Sequence, residues 1–150
     1  MVRHKNRYIV VLITENDTNA TKKLHLKPIT LSNAIKDTVQ QLYGDFGLAA
    51  IKAAFTAKYC NELTKIAIIK VRHGPHRFVT SVLPLITSLE NKSITINIIH
   101  IGATIKQSFK FILEYQERKY YEFVANLKRD EDKKALRESL MDIDDVLTIV

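Results

Sequence analysis

Apolar residues recur along this chain with two alternating periods, and the changes of period divide it into strands and helices. Arg7–Ile13 is a short, β-branched, almost unbroken apolar run, which predicts a buried strand. Thr14–Thr30 is polar and reads as a surface connection. Leu31, Ile35, Val39 and Leu42 then recur at helical spacing, the stripe of a helix packed on a sheet. Thr30 or Ser32 can cap its start, and Gly44 can end it in a left-handed conformation.

Alternation returns after Gly44-Asp45-Phe46-Gly47. Ile51, Ala53, Phe55, Ala57 and Tyr59 point one way and Lys52, Ala54, Thr56 and Lys58 the other, which predicts a half-buried strand. A turn at Cys60–Thr64 and a second strand at Lys65–Arg72 complete a hairpin. Gly74-Pro75 opens a helix whose apolar face is Phe78, Val82, Leu85, Ile86 and Leu89, with a kink expected at Pro84. Ser93–Ile101 is the fourth strand, and Thr104–Leu127 is a long amphipathic helix. A weaker charged helix follows from Asp130 to Met141.

The order β-α-β-β-α-β with right-handed crossovers predicts an α+β fold. It is the split β-α-β sandwich, ferredoxin-like or RRM-like, with a four-stranded antiparallel sheet and additional C-terminal helices. At 150 residues the chain has room for one core, and its single cysteine, Cys60, excludes an internal disulfide. No apolar stretch approaches the roughly 20 residues of a membrane span, and no secretory leader is visible, so a cytosolic or nuclear protein is expected.

Charge changes this picture most. Residues 1–129 hold 20 of the 23 bases and nine of the 16 acids, a surplus of eleven positive charges. Residues 130–150 carry seven acids against three bases. The expected organisation is therefore a basic sandwich domain over 1–129 and an acidic helical tail over 130–150. Such a body favours a polyanionic partner, because neutralising phosphates releases counterions.

Catalytic patterns are missing: there is no Walker loop, no Gly-x-Ser-x-Gly, no His-Glu-x-x-His and no paired carboxylates for two-metal hydrolysis. His73 and His76 sit between Arg72 and Arg77, where a cation is repelled, so no metal site and no catalytic residue are expected. The basic residues cluster instead. Arg3, His4, Lys5, Arg7 and Tyr8 lead into the first strand; Lys58 and Lys65 lie in the hairpin. Lys70, Arg72, His73, His76 and Arg77 follow the next strand end and turn, and Thr104, Lys106 and Lys110 open the long helix. The third strand carries no aromatic, so base stacking on the sheet is not expected and RNA contacts should run through the backbone. Ile66 and Ile68, apolar at outer positions, imply a face covered by the terminal helix or by a protein partner.

Read together, these segments resemble a known family. The blocks are Met1-Val2-Arg3-His4-Lys5-Asn6-Arg7-Tyr8, and Ile35-Lys36-Asp37-Thr38-Val39 leading to Tyr43-Gly44-Asp45-Phe46-Gly47. Lys58-Tyr59-Cys60-Asn61, Val71-Arg72 and Leu83-Pro84-Leu85-Ile86-Thr87-Ser88-Leu89 come next, then His100-Ile101-Gly102-Ala103-Thr104-Ile105 with Lys110 and Tyr115. In order and spacing they resemble the small conserved protein subunit of ribonuclease P and RNase MRP, the family named for processing of precursor RNA, subunit five. The likeness runs over about residues 1 to 125. Ala103 stands where that family usually has a second glycine.

The resemblance implies a noncatalytic subunit of an RNA-based endoribonuclease, bracing a catalytic RNA for 5′ maturation of precursor tRNA and for rRNA processing. It implies Mg2+ on the RNA subunit and no cofactor on the protein. The implied partners are the catalytic RNA of RNase P and RNase MRP, nearby precursor tRNA and other protein subunits, without a membrane, and the implied location is the nucleus and nucleolus. The RNA-binding set is then Arg3, Lys5, Arg7, Tyr8, Lys58, Arg72, His73, Arg77, Thr104, Lys106 and Lys110, with Ile66 and Ile68 as a protein interface. The competing reading is a ferredoxin-like protein-interaction module without a direct RNA role.

Overall fold

The computed structural model describes residues 3–16 and 24–126, with Glu131, Lys134, Ala135 and Glu138. Met1, Val2, residues 17–23 of the expected polar connection, and most of the expected tail helix lie outside the described residues. So does the expected domain boundary near residue 129. The chain divides into two compact units, Met1–Thr104 and Ile105–Val150.

The first unit is built on β1 (Asn6–Glu15). Its β-branched, apolar sequence suits a strand with neighbours on both sides. It pairs antiparallel with β3 (Ile66–Arg72) and with β5 (Lys92–Gly102). β2 (Thr56–Cys60) adds to β3, and the two-residue β4 (Ser88–Leu89) adds to β5, giving the order β2-β3-β1-β5-β4. Without the short β4 this is the order that the split β-α-β sandwich requires. Two helices from the crossovers, α1 (Pro28–Lys52) and α2 (His76–Val82), complete the unit.

Side-chain alternation puts Ile9, Val11 and Ile13 of β1 and Ala67, Ile69 and Val71 of β3 into one core with Leu31, Ile35, Val39, Val79 and Val82. Ile94 and Ile96 of β5 join them. Leu24 and Leu26, just before α1, are also buried there, although the sequence between Thr14 and Thr30 is polar overall.

The structure corrects three expectations. α1 does not end at Gly44. It kinks there, at φ 65°, and continues to Lys52, because glycine takes the left-handed conformation without steric cost and the helix resumes beyond it. The expected strand from Ile51 therefore shrinks to Thr56–Cys60. Gly47, Ile51 and Phe55 lie four apart, so this stretch fits a helical stripe as well as an alternating one, and burial of Ile51 against the core decided for the helix. Lys27 occupies the start of α1 without a side-chain cap, and Pro28 fills the first turn, so neither Thr30 nor Ser32 caps it.

The third correction concerns Pro84. It does not kink a long helix; α2 stops at Val82, a 3-10 turn spans Leu83–Leu85, and the chain becomes extended. Proline has no N–H to continue the helical ladder. Ile86 and Leu89, expected on a helix face, reach the core from this extended segment instead. Glu90 and Asn91, with φ of 49° and 62°, form the tight turn that joins β4 to β5.

Asn61 closes the β2–β3 hairpin. Its side-chain oxygen accepts the N–H groups of Leu63 (2.8 Å) and Thr64 (3.2 Å), and its side-chain nitrogen donates to the Tyr59 hydroxyl (3.0 Å). Alanine here removes all three bonds at a nearly buried position. Asn61→Ala is expected to destabilise the fold by about 1–2 kcal/mol in urea unfolding. A change within error would show that the turn holds without this side chain.

The second unit is described through α3 (Ile105–Asn126), close to its expected span. Within it Lys110 lies 3.9 Å from Glu114 and Lys119 2.8 Å from Glu122, exposed pairs that stabilise the helix only slightly.

Candidate nucleic-acid interface

One end of the sheet gathers most of the expected RNA-binding residues of the first unit. Antiparallel pairing sets the start of β1 beside the end of β3 and the end of β5. Asn6 stands opposite Arg72, and Tyr8 stands opposite both Lys70 and Gly102. The His73 N–H donates to the Lys5 carbonyl (2.8 Å), which ties the turn after β3 to the segment before β1. Lys5, Arg7, Tyr8, Arg72 and His73 are therefore brought together by register. Thr104 lies two residues past Gly102, at this same end. Arg3 lies in the exposed segment just before it.

Strand alternation splits the cluster between two faces. Arg7 shares its face with Ile9 and Val11, the side covered by α1 and α2, whereas Tyr8, Lys70 and Arg72 lie on the opposite side. The Arg72 Nε is buried and has no hydrogen-bond partner among the described residues. Leaving such a donor unsatisfied costs about 1–3 kcal/mol, which an incoming anion can offset.

The turn Arg72–Arg77 adds two imidazoles and a second guanidinium. His73 and His76 stack with ring centroids 5.2 Å apart and planes 19° from parallel. The Gly74 N–H donates to His76 Nδ1 (3.1 Å), and Gly74 itself takes φ +101°, a conformation that an L side chain rarely adopts. Partial burial, and then the charges of His73, Arg7 and Arg77, hold His76 below the ordinary imidazole range. Lys70 and His76, in the basic run but outside the expected contact set, thus belong to the cluster. Pairing register and ring stacking reveal them, and neither is visible in residue spacing. None of the residues placed here by pairing or contact is acidic.

The opposite end of β1 has the reverse character. Glu15 accepts an ion pair from Lys65 (3.1 Å), another from Lys92 (3.6 Å) and a hydrogen bond from the Leu24 N–H (3.3 Å). Desolvation works against its charged form, but Lys65, Leu24 and Lys92 outweigh that and hold the carboxyl below its usual value. Lys65 is thereby occupied within the fold.

Other expected contact residues lie apart. Lys58 is exposed on β2, the outer strand beyond β3, at a bulge between Ala57 and Tyr59. Lys106 and Lys110 are exposed on the first turns of α3, in the second unit. Ile66 and Ile68 are only 1% and 0% exposed, so neither offers surface to a partner in this chain. Exposed apolar residues lie elsewhere, among them Leu42, Tyr43 and Phe46 beside the α1 kink, with Tyr43 and Phe46 edge-on to Phe78.

Nothing in the described residues groups three or more metal-ligating side chains. Burial pushes the Cys60 thiol up to about 11, which removes thiolate reactivity at neutral pH. No described helix is long and apolar enough to cross a membrane.

The sequence matches the Rpp14/Pop5 family over residues 7–113, a span that runs from Arg7 through all five strands into α3. The chain belongs to that family. Two relatives of the Rpp14/Pop5 family are mammalian proteins named ribonuclease P/MRP protein subunit POP5. The bovine one is 33% identical over 144 residues, covering 93% of this chain and 84% of its own. The human one is 32% identical over 144 residues, covering 93% and 87%. In three dimensions the fold matches a chain of the cryo-EM structure of yeast ribonuclease MRP with a TM-score of 0.55. That match covers 79% of this chain and 96% of the other at 16% identity. The last likeness concerns the fold alone.

Proposed function

We propose that this member of the Rpp14/Pop5 family is a noncatalytic, RNA-binding subunit of ribonuclease P and RNase MRP. The observation that carries the reading is the end of the sheet, free of acids among the described residues placed there, where Lys5, Arg7, Lys70, Arg72, His73 and Arg77 converge from five segments of the chain. Charges held on a rigid sheet end fit the closely spaced phosphates of a folded RNA better than a flexible single strand. The relatives' names, ribonuclease P/MRP protein subunit POP5, support taking that RNA to be the RNA of ribonuclease P and RNase MRP.

The protein's role in this reading is electrostatic: it screens crowded phosphates so that the RNA keeps its metal-binding geometry. Mg2+ would sit on the RNA, and cleavage of precursor tRNA and processing of rRNA would be the RNA's chemistry. Other protein subunits of the complex would flank this one, in the nucleus and nucleolus.

Sequencing the RNA crosslinked to the protein in cells tests this directly. The expected result is enrichment of the ribonuclease P and MRP RNAs, with crosslinks mapping to peptides around Arg3–Tyr8 and Arg72–Arg77. Copurification of protein subunits that survives ribonuclease, with no RNA crosslinked beforehand, would support the protein-interaction module and reject RNA binding.

A further inference from the structure

The β3–α2 turn has a feature that phosphate screening alone does not require. It stacks two imidazoles against each other, and Arg7 and Arg77 bear on the His76 ring. The charged groups that act on His76 come from three neighbouring segments: Arg7 on β1, His73 in the turn and Arg77 on α2. All are basic. A turn whose only purpose was to present positive charge would gain from lysine or arginine at position 76. A titratable group there, hydrogen-bonded through one nitrogen to the backbone, does something different.

We propose that this turn is a binding site for a single phosphate group, and that His76 accepts a proton from solvent as the phosphate binds. The inference rests on the RNA-binding reading above and adds the ligand group, the residue and the proton to it.

The geometry supplies the reasoning. Because His76 Nδ1 accepts the Gly74 N–H at 3.1 Å, the unbound ring is neutral and carries its hydrogen on Nε2. Its stacking partner His73 and the Arg7 and Arg77 guanidinium groups oppose a positive charge on it, as does its partial burial. A phosphate oxygen among these groups reverses the balance, because an anion within about 4–6 Å favours the protonated imidazole. Protonation of Nδ1 then sets one donor against another and releases the Gly74 N–H. Gly74, at φ +101°, has nothing within 4 Å of where a Cβ would stand, so an oxygen can approach its backbone. One proton taken from water thus yields two donors, the imidazolium and the freed N–H, and no covalent bond is made or broken.

The sign of the pH dependence follows. His76 titrates lower in the unbound chain than in the bound one. Affinity is therefore greatest at acidic pH and falls as pH rises through the bound-state value, by up to about tenfold per pH unit for one proton. The ligand chemistry is a phosphate anion, which could be an RNA phosphodiester or a free or terminal phosphate.

The test uses the full chain, as wild type and as His76→Gln, which keeps hydrogen bonding but cannot titrate. Affinity for transcribed ribonuclease P RNA is measured from mildly acidic to mildly alkaline pH at constant ionic strength. In parallel, NMR follows the His76 ring with and without that RNA and with and without inorganic phosphate. Wild-type affinity should fall several-fold more than that of His76→Gln over this range, and the titration midpoint of His76 should rise when RNA is bound. Equal pH profiles for the two proteins, with RNA still bound tightly, overturn the proton-linked site while the RNA-binding reading stands. A midpoint raised by inorganic phosphate but not by RNA keeps the phosphate site and overturns the RNA backbone as its source. Failure to bind RNA at every pH overturns both readings.

Discussion

Exchanging Lys5, Arg7, Arg72 and Arg77 together for glutamine should weaken binding to structured RNA by about 2–4 kcal/mol, roughly thirty- to a thousandfold. These four side chains come from the N-terminal segment, β1, β3 and α2, yet pairing and the turn bring them to one end of the sheet. Each phosphate that loses its partner keeps its counterions when the protein binds. The slope of log affinity against log salt should therefore drop by roughly three to four units. Fluorescence anisotropy across a salt series reads both quantities, and circular dichroism checks that the fold survives. Arg7 and Arg72 are half-buried, so some stability loss is expected, but it does not alter a salt slope. An unchanged slope in a folded variant would remove this end of the sheet from the RNA interface.

Ile9→Ala should destabilise the chain by about 2–5 kcal/mol, whereas Phe46→Ala, which removes more carbon, should cost about 1 kcal/mol or less. Ile9 is 0% exposed on the central strand, opposite both Ile69 and Ile101, and its truncation leaves a cavity that neighbouring strands cannot close. Phe46 is 77% exposed, and its edge-on contact with Phe78 at 6.3 Å is open to water. Urea unfolding of the two full-length variants gives the comparison. If Phe46→Ala proved as costly as Ile9→Ala, Phe46 would be part of the core and not of the surface beside the α1 kink.

Ile9 also shows why the fold was largely legible in the chain. β1, β3 and β5 are long, β-branched and bounded by polar turns, so their period and composition agree. Where two periods fit equally well, local pattern does not choose between them. Ile51 and Phe55 suit a strand face and a helix face, and only packing of Ile51 on the core chose between them. Leu85, Ile86 and Leu89 looked like one helical stripe because residue spacing does not reveal that Pro84 ends the helix and that Leu89 pairs with Lys92 in a hairpin.

The interface was legible as a set of residue types but not as a place. Arg7 and Tyr8 are adjacent in the chain, yet alternation sends them to opposite faces of β1. Lys65 looked like one more basic contact, and the fold spends it on Glu15 at 3.1 Å. Ile66 and Ile68 read as a face to be covered by the terminal helix or by a partner, and they are already buried within the chain.

By itself the sequence determined the split β-α-β order, the basic body with its acidic tail, and the family, because each is carried by composition, local period or residue identity. Only the tertiary structure decided that Arg72 stands opposite Asn6, that His73 is tied to Lys5, and that His76 stacks on His73. Strand register, turn conformation and burial depend on contacts between residues far apart in the chain. Local period leaves those contacts open, so the gathering of charge at one end of the sheet emerges only when the strands pair.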